Sequence, residues 1–145
     1  MYSIRPGSVQ LLQIDAAELR LPLFSSRVSA GFPSPAEDFI EKRLDLNSLI
    51  THPMATIFMR ASGTSMINAG IDDGDLLVIN RALPHLHWRI VVAEVDGQFT
   101  VKRLIRKGGK VKLMPDNPTF PEITFKDGQE LRITGVVHYV IKSML

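Results

Sequence analysis

The chain contains no cysteine in its 145 residues. Disulfides, a thiol nucleophile and cysteine-ligated zinc are therefore excluded. Aromatic residues are scarce, at 7%, with a single tryptophan. Neither sign of charge dominates: 17 Lys and Arg stand against 15 Asp and Glu, a formal charge of +2. So small a balance gives no overall expectation of nucleic-acid binding. No apolar run approaches the roughly 20 residues needed to span a membrane. The N-terminus has no basic region followed by an apolar stretch, so no signal peptide is expected and the expected compartment is the cytoplasm. What is present is a globular composition, 45% hydrophobic, sufficient for one domain with an arm.

Residues 1–30 show no sustained hydrophobic period and are too few to build a core alone. They are expected to form an arm, with a weak helix over Gln10 to Leu21 that Pro22 ends. Gly31-Phe32-Pro33-Ser34-Pro35 is a break, and Ala36 to Ile50 has an imperfect helical period. From Ala55 onward the pattern is of strands. The expected strands are Ala55–Ala61, Leu76–Asn80, Ile90–Val95, Gln98–Leu104, Lys110–Met114 and Leu131–Ile141. Asp96-Gly97 is a two-residue hairpin signal, and Gly108-Gly109 and Asp127-Gly128 are further turns. The expected fold is mainly β: a single curled antiparallel domain carrying an irregular N-terminal arm.

Two positions carry chemistry. Ser65 lies in Ser62-Gly63-Thr64-Ser65-Met66, at a turn between a strand and an expected helical turn, Met66 to Ala69. Backbone N–H groups at such a junction, here those of Thr64 and Ser65, are candidates to stabilise an oxyanion. Ser62 is a rival nucleophile, but it precedes the glycine and reads better as a cap for the turn. Lys102 lies in Phe99-Thr100-Val101-Lys102-Arg103-Leu104. A solvated lysine titrates near ~10.4, and moving it to ~7 costs about 4–5 kcal/mol, which burial can supply. Strand alternation puts Thr100, Lys102 and Leu104 on one face and Arg103 on the other. A serine nucleophile with a neutral lysine as general base is a known dyad. The bland alternative is an ordinary Ser/Gly loop and two surface cations on a hairpin.

Four motifs in order strengthen the dyad: Ala30-Gly31-Phe32-Pro33-Ser34-Pro35-Ala36, Ala61-Ser62-Gly63-Thr64-Ser65-Met66, Asp73-Gly74-Asp75-Leu76-Leu77 and Phe99-Thr100-Val101-Lys102-Arg103-Leu104. Together they resemble the LexA/UmuD family of self-cleaving serine peptidases, from about Phe24 to the C-terminus. The resemblance implies a β domain of the LexA C-terminal and signal-peptidase type. It implies Ser65 as nucleophile, Lys102 as general base and Ala30-Gly31 as the bond cut, dividing the chain into an arm (1–30) and a peptidase and dimerisation domain (31–145). It further implies a homodimer, cleavage on a RecA–single-stranded DNA filament, and service to a UmuC-type error-prone DNA polymerase in translesion synthesis during the SOS response. No cofactor is implied. The small Ala30 and Gly31 also suit a tight cleft on steric grounds, and Pro33 and Pro35 hold the chain after them extended. One departure stands out: relatives usually carry His-Gly-Asp before the Ile-Val strand, where this chain has His87-Trp88-Arg89.

Rival functions are a non-catalytic dimeric module that recruits a polymerase, and a LexA-like repressor fragment, for which thirty N-terminal residues are too few to hold a helix-turn-helix. A membrane-bound signal peptidase is disfavoured by the missing apolar span. The apolar run Ile133 to Ile141 could pair across a two-fold axis or within its own sheet. His85 and His87 would share a strand face, but no third metal ligand accompanies them. Asp72, Asp73 and Asp75 lack calcium-loop spacing and read as turn formers. Lys102, Arg103, Arg106, Lys107, Lys110 and Lys112 form a basic cluster without an interleaved aromatic set, which leaves direct DNA contact open.

Overall fold

The computed structural model describes residues 17–33, 35, 40–126 and 129–145. Nine strands follow in chain order: β1 Arg20–Phe24, β2 Ile40–Asp45, β3 Thr56–Arg60, β4 Leu76–Asn80, β5 Ile90–Val95, β6 Gln98–Lys107, β7 Lys110–Met114, β8 Ile123–Thr124 and β9 Leu131–Ile141. Single 3-10 turns occupy Leu46–Leu49, Pro53–Ala55 and Ile67–Ala69. Among the described residues no helix is long and apolar enough to cross a membrane. The chain divides into two compact units, one of Val9–Pro53 and one that takes in Met54–Leu145.

In the first unit β1 and β2 pair antiparallel, from Arg20↔Asp45 to Phe24↔Ile40. This corrects two expectations. From Ile40 onward the helical period expected over Ala36 to Ile50 gives way to a strand and a 3-10 turn, and Arg20 and Leu21 belong to a strand rather than the end of a helix. The pairing decides the matter: an imperfect amphipathic pattern is a weak prior, and a partner strand overrides it. Pro22 fits because a two-stranded ribbon leaves an edge where no N–H is needed. Asp45 caps the following turn by accepting the Asn47 N–H at 3.0 Å, and Asn47 Nδ2 donates to the Ala17 carbonyl at 3.1 Å. The start of the expected N-terminal helix lies outside the described residues, as do Ser34, residues 36–39 and the Asp127-Gly128 turn.

The second unit is one antiparallel sheet with strand order β3-β4-β9-β5-β6-β7-β8. The long β9 makes the curl. Its first half pairs with β5, from Leu131↔Val95 to Val136↔Val91, and its second half with β4, from Val136↔Asn80 to Ile141↔Leu76. Each half has a register shift, which bends the strand and raises its twist. Gly135 sits at the crossing. A Cβ there would meet Ile79 Cγ2 at 2.7 Å, the Asn80 carbonyl oxygen at 3.1 Å and Arg81 Cα at 3.2 Å, so only glycine lets the two backbones approach. Two clusters fill the core. Met66, Leu77, Ile79 and Val92 belong to one, and Val91, Ala93, Leu104, Leu113 and Val136 to the other. β-Branched residues on β4 and β5 supply much of both, since they pack well on a pleated surface. Asp96 and Gly97 join β5 to β6, both with positive φ, as a two-residue turn matched to strand twist requires.

Candidate active site

The loop Ser62–Met66 leaves β3 and is tied at both ends. Ala61 N–H donates to the Asp75 carbonyl at 2.8 Å, and Gly74 N–H returns a bond to the Ala61 carbonyl at 2.9 Å. Gly63 takes φ +85°, a conformation that glycine adopts without strain. Its N–H is held by the Asp73 carboxylate at 2.8 Å. Met66 closes the loop as a buried plug, its sulfur accepting the Asp116 N–H at 3.3 Å.

Lys102 projects from β6 beside this loop. Its Nζ is 2.8 Å from Ser65 Oγ, across 37 residues of sequence. Thr100 Oγ1 at 2.9 Å and the Val101 carbonyl at 3.1 Å receive its other two donors. The lysine is 8% exposed, and no carboxylate among the described residues pairs with it. Burial therefore pushes its pKa below the ordinary lysine value, because a charged amine loses its hydration without gaining a counter-ion. Arg103 points the other way, its guanidinium gripping Asp116 Oδ2 at 2.6 and 3.0 Å.

A cleft of about 150 Å³ adjoins the pair, lined among others by Ser62, Ser65, Phe99, Thr100 and Lys102. Ser62 borders this cleft, but Lys102 Nζ bonds to Ser65 rather than to it. Among the described residues neither the Thr64 nor the Ser65 N–H donates to a protein acceptor. Ala30 and Gly31 lie in the first unit, exposed, in the connection between β1 and β2.

Three supports escaped the sequence reading. Asn117, buried at 8% exposure, donates through Nδ2 to the Thr64 carbonyl at 2.9 Å. Its own Oδ1 accepts from Thr119 N–H at 3.2 Å and Oγ1 at 2.9 Å. Asp116 accepts the Asn68 N–H on its carbonyl at 2.9 Å. Asp73 anchors Gly63, more than a turn former does. The usable signal for the first two was Pro115-Asp116-Asn117-Pro118, a turn string whose buried asparagine implies a fixed backbone contact. Beneath, Asp75 and Asp72 share Lys142, with the Asp72 contact at 2.6 Å. Hydrogen bonds from Lys142 and the Asp72 N–H hold the Asp75 carboxyl below its usual pKa.

The two histidines lie in the loop before β5, not on a strand, because the sheet resumes only at Ile90. His87 Nδ1 accepts the Arg106 N–H at 3.0 Å, and the His85 carbonyl accepts Arg106 Nη1 at 2.7 Å. Among the described residues no group of three His, Asp or Glu is arranged to hold a metal.

Known proteins share this sequence at length. The model of a family described as Peptidase S24-like matches residues 22–138. Protein ImpA of Escherichia coli is 50% identical over 122 residues, 83% of this chain and 82% of that one. Protein MucA of Escherichia coli is 44% identical over 119 residues, 81% of each chain. The LexA repressor of Cupriavidus taiwanensis is 36% identical over 138 residues, 95% of this chain and 63% of the repressor.

Proposed function

Because this chain belongs to the Peptidase S24-like family, we propose that it is a serine endopeptidase that cuts its own Ala30-Gly31 bond. Ser65 is the nucleophile and Lys102 the general base. The observation that carries this is the 2.8 Å contact between Lys102 Nζ and Ser65 Oγ, made by a buried lysine that has no carboxylate partner among the described residues.

In the neutral state the Lys102 lone pair accepts the Ser65 hydroxyl proton as Oγ attacks the Ala30 carbonyl carbon. The carbonyl oxygen takes up the electron pair and is held by the Thr64 and Ser65 N–H groups. The tetrahedral species collapses, the C–N bond breaks, and Lys102 returns the proton to the Gly31 amine. Water, deprotonated by the same lysine, then hydrolyses the Ser65 ester. Thr100 and the Val101 carbonyl keep Nζ aimed at Ser65, so little reorganisation is needed during the reaction.

The resemblance to LexA/UmuD-type proteins extends the proposal. Cleavage is stimulated by a RecA–single-stranded DNA filament. The cut form, a homodimer, serves a UmuC-type error-prone polymerase in SOS mutagenesis. Exposed Phe58, Tyr139 and Ile141 lie on β3 and the second half of β9, and they support self-association through that side of the sheet. The test is mass spectrometry of the purified chain, with and without RecA, ATP and single-stranded DNA. A new N-terminus at Gly31, absent in Ser65→Ala, is expected. Cleavage that persists in Ser65→Ala, or a rate that falls as pH rises above neutrality, overturns the assignment.

A further inference from the structure

Two adjoining hollows on the β domain take no part in the peptidase chemistry. They measure about 710 and 760 Å³ and share Val111 and Leu131 in their walls. Arg81, His85, Arg106 and Arg132 line the first, and Lys107, Lys110 and Lys112 the second. No Asp or Glu is among the described residues lining either one. The whole chain carries a formal charge of only +2, so this is segregation of charge and not general basicity. Two carboxylates do stand at the rim. Glu130 is 3.6 Å from Arg132 and Glu122 is 3.2 Å from Lys112, and in both pairs each side chain is at least 40% exposed. Ion pairs that wet contribute little and yield readily to a phosphate.

Trp88, in the loop that leads into β5, is under backbone strain. Its φ is +75°, a value that a bulky residue adopts only at a cost of about 1–2 kcal/mol. Two bonds hold it there: its N–H donates to the Leu104 carbonyl at 2.7 Å and its carbonyl accepts Arg103 Nη1 at 2.8 Å. The indole is still half exposed, with the Arg103 guanidinium 5.0 Å from its ring centroid. Arg106 joins this loop to the first hollow through its bonds to His85 and His87. Phe125 lines the second hollow. Phe125 packs partly against the core, so the exposed aromatic of this region is Trp88, next in sequence to the His87 that Arg106 binds.

We infer that the end of the β6–β7 hairpin binds single-stranded nucleic acid, Arg106 on one side of the sheet and Lys107, Lys110 and Lys112 on the other holding phosphates as the strand passes round it, with Trp88 stacking on a base. A backbone-tracking row of cations with aromatic platforms is the chemistry that single strands require. Concave hollows suit an extended strand better than the convex surface of a duplex. Among the described residues there is also no α-helix to enter a major groove. Neither Ser65 nor Lys102 lines the hollows, so the site stands or falls separately from the peptidase.

Trp88 is the sole tryptophan, and its fluorescence reports on the site directly. The full-length chain is titrated with fluorescein-labelled oligothymidylate, following anisotropy and indole emission. Binding with quenching of Trp88 is expected. If three phosphates are held, affinity falls roughly 20-fold between about 50 and about 200 mM salt, the slope for a single strand. The double change Arg106→Glu with Arg132→Glu, and separately Lys107→Glu with Lys110→Glu, should each weaken binding at least about tenfold. Trp88→Gly should weaken it about tenfold without altering the salt dependence. Thermal melting checks that each variant is folded, and the lysine pair keeps the test decisive if the arginine pair unfolds. The inference is overturned by absent binding at low salt, or by unchanged affinity in a folded charge-reversed variant. It is overturned equally if a polyglutamate peptide or a DNA duplex binds as tightly as the single strand.

Discussion

The ribbon of β1 and β2 and the sheet of β3 to β9 treat their apolar residues in opposite ways. In the ribbon's unit Leu21 is 49% exposed, Phe24 53% and Phe32 92%, whereas Val91, Leu104 and Leu113 in the sheet are 0% exposed. Burying a large apolar side chain is worth about 1.5–3 kcal/mol, so the sheet has a source of rigidity that the ribbon lacks. The difference suits the two tasks proposed for them. A nucleophile and its base need fixed geometry, which a packed sheet supplies through residues far apart in sequence. A bond that must enter a cleft needs the reverse. Ala30 and Gly31 are exposed in a connection, and a Cβ added to Gly31 meets nothing within 4 Å.

The comparison can be broken most sharply at the dyad. Ser65→Ala and Lys102→Met should each reduce appearance of the Gly31 N-terminus by more than about 10³-fold, measured by mass spectrometry. The same lysine change should leave the sheet more stable. Lys102 has a depressed folded-state pKa, so between that value and ~10.4 the unfolded chain binds the extra proton. Stability of the parent therefore rises with pH through that window. Lys102→Met should raise the melting midpoint by about 3 °C at neutral pH, with the gain vanishing above pH ~10.4.

A smaller loss of activity is expected at the brace. Asn117→Ala frees the Thr64 carbonyl and with it the orientation of the Ser65 N–H, and should slow cleavage about 10–100-fold. The alkaline limb of the rate profile should stay in place, because Lys102 is untouched. Gly135→Ala tests the sheet alone. The Ile79 methyl can shift but the Asn80 and Arg81 backbones cannot, so denaturant unfolding should show a loss of about 1–3 kcal/mol. A melting midpoint equal to that of the parent would show that β4 and β9 are less tightly joined than their spacing implies.

Acid should act on the sheet through Asp75. Its carboxyl is held below the usual range by Lys142 and the Asp72 N–H. Its contribution to stability is present above the unfolded-state pKa and is lost as pH falls through the folded one. Asp75→Asn should flatten the acid side of the stability profile. The smallest effect is expected at Trp88→Gly, which relieves an unfavourable φ while giving up the contact with Arg103. Those effects oppose each other, and thermal unfolding should move by less than about 1 kcal/mol.

Local signals set most of the β domain. Leu76–Asn80, Ile90–Val95, Lys110–Met114 and Leu131–Ile141 were readable because apolar and β-branched runs lie against turn formers on at least one side: Asp75 and Asn80, Asp96-Gly97, Gly109 and Pro115, and Asp127-Gly128. Gln98–Lys107 runs further than its expected end at Leu104, since β7 continues to pair with it past that point. β1 and β2 were missed because neither has a strong period and each is a strand only beside the other. The two residues of β8 exist only as partners of Lys112 and Leu113.

The amino-acid sequence by itself determined the strand-forming segments, the tight turns and which residue types were available for proton transfer. All of these depend on a few neighbouring atoms. The tertiary structure alone decided that Ser65 and Lys102 meet at 2.8 Å, that Asn117 reaches Thr64 across 53 residues, and that scattered cations gather around two hollows. Those outcomes depend on strand order and register, and spacing along the chain carries no information about which strands become neighbours when β9 bends between β4 and β5.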